Sequence, residues 1–177
     1  MSEKRHSQEE AETIIDRLRG YSFEELHPLF EEGRIPLFED IEGDTAGSLL
    51  AWNPRSPWWR KLLTRIAFDN PFARWKGKRY TTPFGEEKGG RGVNLFRNRI
   101  LPRRHRFNTS IEKALFDKNP CLVLDYGSLP SLLAGTRDEL LRIEDGVFVG
   151  RGYHKLPWEK EHSFVACFVL CALKQAA

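Results

Sequence analysis

Three cysteines in 177 residues, Cys121, Cys167 and Cys171, are too few and too oddly numbered for a disulfide framework. Each sits in an apolar, strand-like run, where a small core thiol in a reduced compartment is expected. Cys167 and Cys171 have the i, i+4 spacing that unites two metal ligands on a helix, but on a strand they would lie roughly 13 Å apart. The histidines, His6, His27, His105, His154 and His162, show no metal-ligand spacing. His154 and His162 flank a turn at residues 155–161 and could meet across it, but no third ligand accompanies them, so no metal site is expected. Long hydrophobic runs are missing too. The longest, residues 164–173, falls well short of the roughly 20 residues that span a bilayer. The opening Met-Ser-Glu-Lys-Arg-His-Ser lacks the apolar core of a signal peptide. These absences lead to the expectation of a soluble, cytoplasmic protein with no transmembrane segment.

Charge of one sign is also lacking. With 28 Lys and Arg against 25 Asp and Glu, the formal net charge is +3. That balance, with 40% hydrophobic residues, excludes a disordered chain and a surface built wholly for nucleic acid. No Gly-x-Ser-x-Gly, Walker loop or dinucleotide fingerprint is present. Gly146, Gly150 and Gly152 read as part of a hairpin strand, and no cofactor is expected. The chain shows no internal repeat and no low-complexity tract.

What is there fits one domain over residues 1–177: a helical arm, 1–34, then a β-barrel, 35–177, with an inserted helix, 57–68. Residues 7–19 carry a capping box, Ser7 and Glu10, followed by Ala11, Ile14, Ile15 and Leu18 at helical spacing, with Gly20 as the stop. Ser22 and Glu25 form a second box, and Pro28 is expected to break that helix after a turn. Residues 41–52 read as a strand, with Gly43 and Gly47 marking a bend or a close backbone approach. Ser56 and Pro57 suit a helix start, and Trp58, Leu62, Leu63 and Ile66 share one face of the helix that follows. Strands are expected at 74–82, 92–97, 107–115, 121–126, 147–153 and 163–173, and a strand or one helical turn at 137–143. Residues 86–90, 117–120 and the pair Asp145-Gly146 are turns. The fold class is therefore mainly β: an antiparallel barrel of about eight strands, with an N-terminal helical arm and one helix across the barrel end.

Several of these residues resemble a group of uncharacterised bacterial proteins with lipocalin-like, calycin-type barrels. The matching features are Gly43 and Gly47, Trp75-Lys76-Gly77-Lys78, Asn94, Leu124-Asp125-Tyr126, Arg137-Asp138-Glu139-Leu140 and Val149-Gly150, covering roughly residues 43–153. Similar families carry Gly-x-Trp-x-Gly or Gly-x-Tyr-x-Gly in the first strand. This chain has Thr45 at the centre, which departs from the aromatic plug of the barrel floor. The resemblance implies a barrel and no reaction.

Two clusters are candidates for chemistry. Strand alternation puts Asp125 on the face of Cys121 and Val123, and Tyr126 on the face of Leu122 and Leu124. If the first face is inward, Asp125 enters the barrel, and Arg137 or Arg151 is its natural bidentate partner. Asp125, Tyr126 and Glu139 are then candidate acids, bases or hydrogen-bond donors. The plainer reading is an ion pair that fixes a loop. In the second cluster, alternation sets Trp75 and Gly77 on one face and Lys76 and Lys78 on the other. The plainer reading puts Trp75 in the core and both lysines in solvent; in the reversed register Lys76 and Lys78 would point inward, in a cluster with Asn94, and could bind an anionic group. The ligand-binding set is therefore Trp75, Lys78, Asn94, Asp125, Tyr126, Arg137 and Arg151. The run Arg97, Arg99, Arg103, Arg104, His105 and Arg106 has no acid and reads as an exposed loop, with no specific nucleic-acid motif. The leading expectation is binding of a small, largely apolar molecule inside the barrel. The alternatives are an isomerase or cyclase in the same cavity, and a structural or interaction protein, in which the arm could build a homodimer.

Overall fold

The computed structural model describes residues 5–70, 73–83, 89–97, 103–127 and 134–175. Parts of the expected 86–90 turn, the 97–106 basic run and the 128–135 loop lie outside these residues. Four helices are described: α1 (Gln8–Arg19), α2 (His27–Glu31), α3 (Phe38–Ile41) and α4 (Trp58–Phe68). The strands are β1 (Gly43–Trp52), β2 (Asp69–Asn70), β3 (Ala73–Thr82), β4 (Gly90–Phe96), β5 (Arg103–Lys113), β6 (Pro120–Asp125), β7 (Thr136–Glu144), β8 (Val147–His154) and β9 (Ser163–Ala172). Every strand pairing is antiparallel, in the order β1-β9-β8-β7-β6-β5-β4-β3. Pairing of β1 with β3 closes eight strands into a barrel, and β2 adds only a short edge to β3.

The ladder that closes the barrel is short. In the β1–β3 ladder Gly43 faces Tyr80 and Asp44 faces Arg79. One step further the Thr45 side chain takes over, donating to the Lys78 carbonyl (2.9 Å) and accepting from the Lys78 N–H (3.0 Å). This works because Gly77 has φ +146°, and a Cβ there would lie 1.8 Å from the Thr45 carbonyl oxygen. Only glycine allows both the conformation and the approach. Thr45, which stands where an aromatic plug was in question, is thus a closing bond between strands.

Inside, Phe96, Phe107, Leu122, Leu124, Leu140, Phe148, Phe168 and Leu170 fill most of the barrel. Outside, α1 lays Ala11, Ile15 and Leu18 against Ala46, Val147, Val169 and Cys171. Both bonds of the Ser7 and Glu10 capping box are present (3.2 and 2.7 Å). Near α2, Leu26 and Phe30 cover Cys121, Val123, Val149 and Cys167. The three free thiols are thereby buried, and burial pushes each up to about 12.

Local expectations are corrected at four places. Ser22 and Glu25 do bond reciprocally (3.2 and 2.7 Å), but they hold a turn. Pro28 lies in the first turn of α2, where its missing N–H costs nothing, and so starts a helix instead of breaking one. The strand expected from Ile41 begins at Gly43, because Phe38–Ile41 forms α3, whose Asp40 accepts from Leu37 N–H (2.8 Å). In α4 the side turned to the barrel carries buried Arg60, while Trp58, Leu62 and Ile66 face outward. No helix among the described residues is long and apolar enough to cross a membrane.

The Gly77 contact generates a sharp test. Gly77→Ala is expected to cost about 3 kcal/mol or more, since strain and a backbone clash combine. Gly89→Ala, with its nearest neighbour at 3.4 Å, should stay within about 0.5 kcal/mol. Urea denaturation of both variants measures the difference, and equal midpoints would refute this account of closure.

Candidate functional site: a buried polar cluster beside a cavity

The site begins with an irregularity in β3. Strict alternation would send Trp75 and Lys78 to opposite faces. The pairing with β4 slips between Trp75 and Gly77, so that Trp75 faces Phe96 and Lys78 faces Asn94. The bulge turns Trp75, Lys78 and Tyr80 all inward and leaves Lys76 exposed. A second slip, where β4 meets β5 at Asn94, is accompanied by a left-handed His105 (φ 60°). The Asn94 amide donates to the His105 carbonyl there (3.3 Å).

Lys78 is 1% exposed. Its ammonium donates to Asn94 Oδ1 (2.9 Å), Asp138 Oδ2 (3.0 Å) and the Tyr126 hydroxyl, which uses all three of its hydrogens. Trp75 Nε1 also donates to Asn94 Oδ1 (3.1 Å). The Tyr126 hydroxyl accepts from Asn94 Nδ2 (3.1 Å) and donates to Asp138 Oδ2 (3.0 Å). The rings of Trp75, Phe107, Tyr126 and Phe168 stand 5.1–5.5 Å from Nζ, a distance that suits cation–π attraction. Burial lowers the Lys78 pKa, and Asp138 opposes that shift. Burial, reinforced by the Asp138 charge, holds the Tyr126 and Tyr80 hydroxyls well above their ordinary value.

Beside this cluster lies a cavity of about 120 Å³. Leu49, Leu63, Phe68, Trp75, Val165 and Phe168 give it apolar walls, and Lys78 and Asp138 lie at its polar side. Helix α4 supplies the roof. At the rim, Arg60 Nη1 donates to the His154 carbonyl (2.9 Å) and lies 3.3 Å from His154 Nδ1, and its other arm pairs with Glu159. A guanidinium can only donate, so Nδ1 is the acceptor and the imidazole is neutral. Burial and then the Arg60 charge lower the His154 pKa, against the pull of Glu159.

The structure gathers Trp75, Lys78, Asn94 and Tyr126 into this one cluster. It separates Asp125, Arg137, Glu139 and Arg151 from it. Cys121 and Val123 point outward, so Asp125 does too; its carboxylate accepts from the Gly127 N–H (2.8 Å) and shapes the exit of β6. Arg137 stands opposite Asp125 in the ladder but bonds Glu112 (2.7 Å) and Glu139 (3.2 Å). Glu139 also accepts from Leu115 N–H (2.8 Å). Arg151 bonds Asp117 (3.2 Å), with its guanidinium 4.1 Å from the Phe30 ring centre. These outer groups pin the arm and the β5–β6 turn to the barrel wall.

Sequence reasoning named Asp138 within a motif and weighed His154 only as a metal ligand, and it placed neither of them, nor Thr136 or Arg60, among the site residues. The signal for Asp138 was its spacing of two from Leu140, since on a strand both share a face. Among the described residues, no three His, Cys, Asp or Glu side chains are placed to hold a metal ion. No protein-family model, curated protein or solved structure matches the chain.

Two predictions follow from the cluster's burial. Lys78→Met or Asp138→Leu alone leaves one buried charge unpaired and should cost about 3–5 kcal/mol, while the double variant should recover most of it. Chemical denaturation of the four proteins forms the cycle, and additive losses would contradict the pairing. The folded-state values of Tyr80 and Tyr126 are raised, so their contribution is complete below the unfolded value near pH 10. It is lost as pH climbs above that. Ultraviolet titration should therefore show these phenolates forming together with alkaline unfolding, not before it.

Proposed function

We propose that the chain is a lipocalin-like barrel that binds a small, largely apolar molecule with one polar group. The observation that carries this reading is the apolar cavity of about 120 Å³ with Lys78 and Asp138 on one side. Engineered apolar cavities of about 150 Å³ take up benzene, so the ligand is a compact ring or short chain and not a long lipid. Asp138 meets a donor on that ligand, such as a hydroxyl, while Trp75 and Phe168 pack against its hydrocarbon. Thr136 and His154, also in the lining, supply further polar contacts.

An isomerase or cyclase in the same cavity is the second reading, with Asp138 in place of Asp125 or Glu139 as the base and Tyr126 beside it. It ranks lower because Lys78 and Tyr126 both donate to Asp138 Oδ2, so that oxygen is already engaged.

Titration of the 15N-labelled protein with benzyl alcohol, cyclohexanone and toluene tests both readings. Saturable shifts are expected at the Trp75 indole N–H, strongest for benzyl alcohol. Ala166→Leu, or Ala67→Leu if the first fails to fold, fills part of the cavity and should weaken binding about tenfold or more. Unsaturable shifts with all three probes, or undiminished binding by the filled variant, would overturn the binding reading. Deuterium exchange at the α-carbons of cyclohexanone, lost in Asp138→Asn, would promote the enzyme reading over it.

A further inference from the structure

We propose that α4, with the adjoining β8–β9 loop, is a docking surface for an anionic lipid bilayer. The helix is apolar on two sides. Toward the cavity it sets Leu63, Ala67 and Phe68 beside Arg60 and Thr64, and toward the outside it sets Trp58 (75% exposed), Leu62 and Ile66 (54%). Trp58 and Leu62 thus expose apolar surface that the barrel does not cover. The β8–β9 loop, tied to α4 through Arg60, adds Trp158 at 78% exposure. Trp52, Trp58, Trp59 and Trp158, four of the chain's five tryptophans, therefore belong to α4 and its surroundings. Tryptophan favours the boundary between hydrocarbon and headgroups.

Charge selects the occupant. From Thr45 to Phe68 the sequence has four bases, Arg55, Arg60, Lys61 and Arg65, and no acid. Arg60 is neutralised by Glu159, which leaves Arg55, Lys61 and Arg65 along the apolar stripe. Exposed Lys76 and Arg97 lie along a groove that also takes in Phe68, Glu12 and Asp16. An isologous contact with a second copy would set Lys61 and Arg65 against their own counterparts, with no acid on the helix to receive them. An anionic bilayer accepts both features at once: apolar side chains enter the acyl boundary while basic ones reach phosphates. Leu63 and Ile66 are exposed and also line the cavity, so the apolar surface runs unbroken from the docking face to the interior.

Co-sedimentation of the full chain with vesicles tests this. Vesicles of phosphatidylcholine containing one third phosphatidylglycerol should carry down the protein, pure phosphatidylcholine should carry much less, and added salt should release it. Trp58→Ser with Leu62→Ser, both exposed positions, should weaken binding about tenfold or more without altering circular dichroism or thermal midpoint. Lys61→Glu with Arg65→Glu should do the same for the anionic vesicles alone. Absence of binding to anionic vesicles, or unchanged binding by the Trp58 and Leu62 variant, overturns the proposal. So does a concentration-dependent dimer, seen by sedimentation velocity, that the same variant dissolves.

Discussion

The passage of Gly77 beneath the Thr45 carbonyl is the constraint on which both barrel and site depend. At this point two strands approach more closely than any side chain permits. The approach lets the Thr45 hydroxyl bridge to the Lys78 backbone and complete the closed sheet. The same bulge rotates Lys78 into the interior. Closure and the buried cation therefore share one cause. A flatter β3 would place that lysine in water and leave Asp138 with no counter-charge.

Two polar clusters flank the wall formed by β6 and β7, and their chemistry differs because their surroundings differ. On the inner face Lys78, Asn94, Tyr126 and Asp138 are enclosed by aromatic rings, and burial lowers the Lys78 pKa and raises that of Tyr126. On the outer face Arg137 bridges Glu112 of β5 and Glu139, and Arg151 pairs with Asp117 in the β5–β6 turn. The outer set acts as fastening. The inner set adjoins open volume and can meet a ligand.

Much of the barrel was legible. Strand number, the turn at Asp145-Gly146 and the first capping box all followed from local pattern, because those features depend on neighbours in sequence. The polarity of β6 was not legible. Leu122 and Leu124 face the core, while Cys121 and Val123 face the arm, so both sides are apolar and alternation alone cannot tell inside from outside. That ambiguity carried Asp125 toward the barrel in the sequence reading and kept Asp138, though named in a motif, out of the expected site. Lys78 was assigned opposite Trp75 for a different reason: alternation was carried straight through Gly77, where the register slips. In α4 the face expected from Trp58, Leu62, Leu63 and Ile66 is exposed, while the inward side combines Arg60 with Ala67 and Phe68, a mixture that apolar periodicity does not mark.

The pairing scheme also sets a temporal order. Thr45 of β1 lies beside Ala172 of β9, and His6 bridges to Leu173, so the earliest and latest described segments are neighbours. During synthesis β3 emerges soon after β1, but the β9 edge arrives only after β4 to β8 have been made. Until then α1 has only half of its seat, and the ring stays open. Assembly of this molecule is consequently a long-range closure event, of the kind that makes β-rich chains slow to fold.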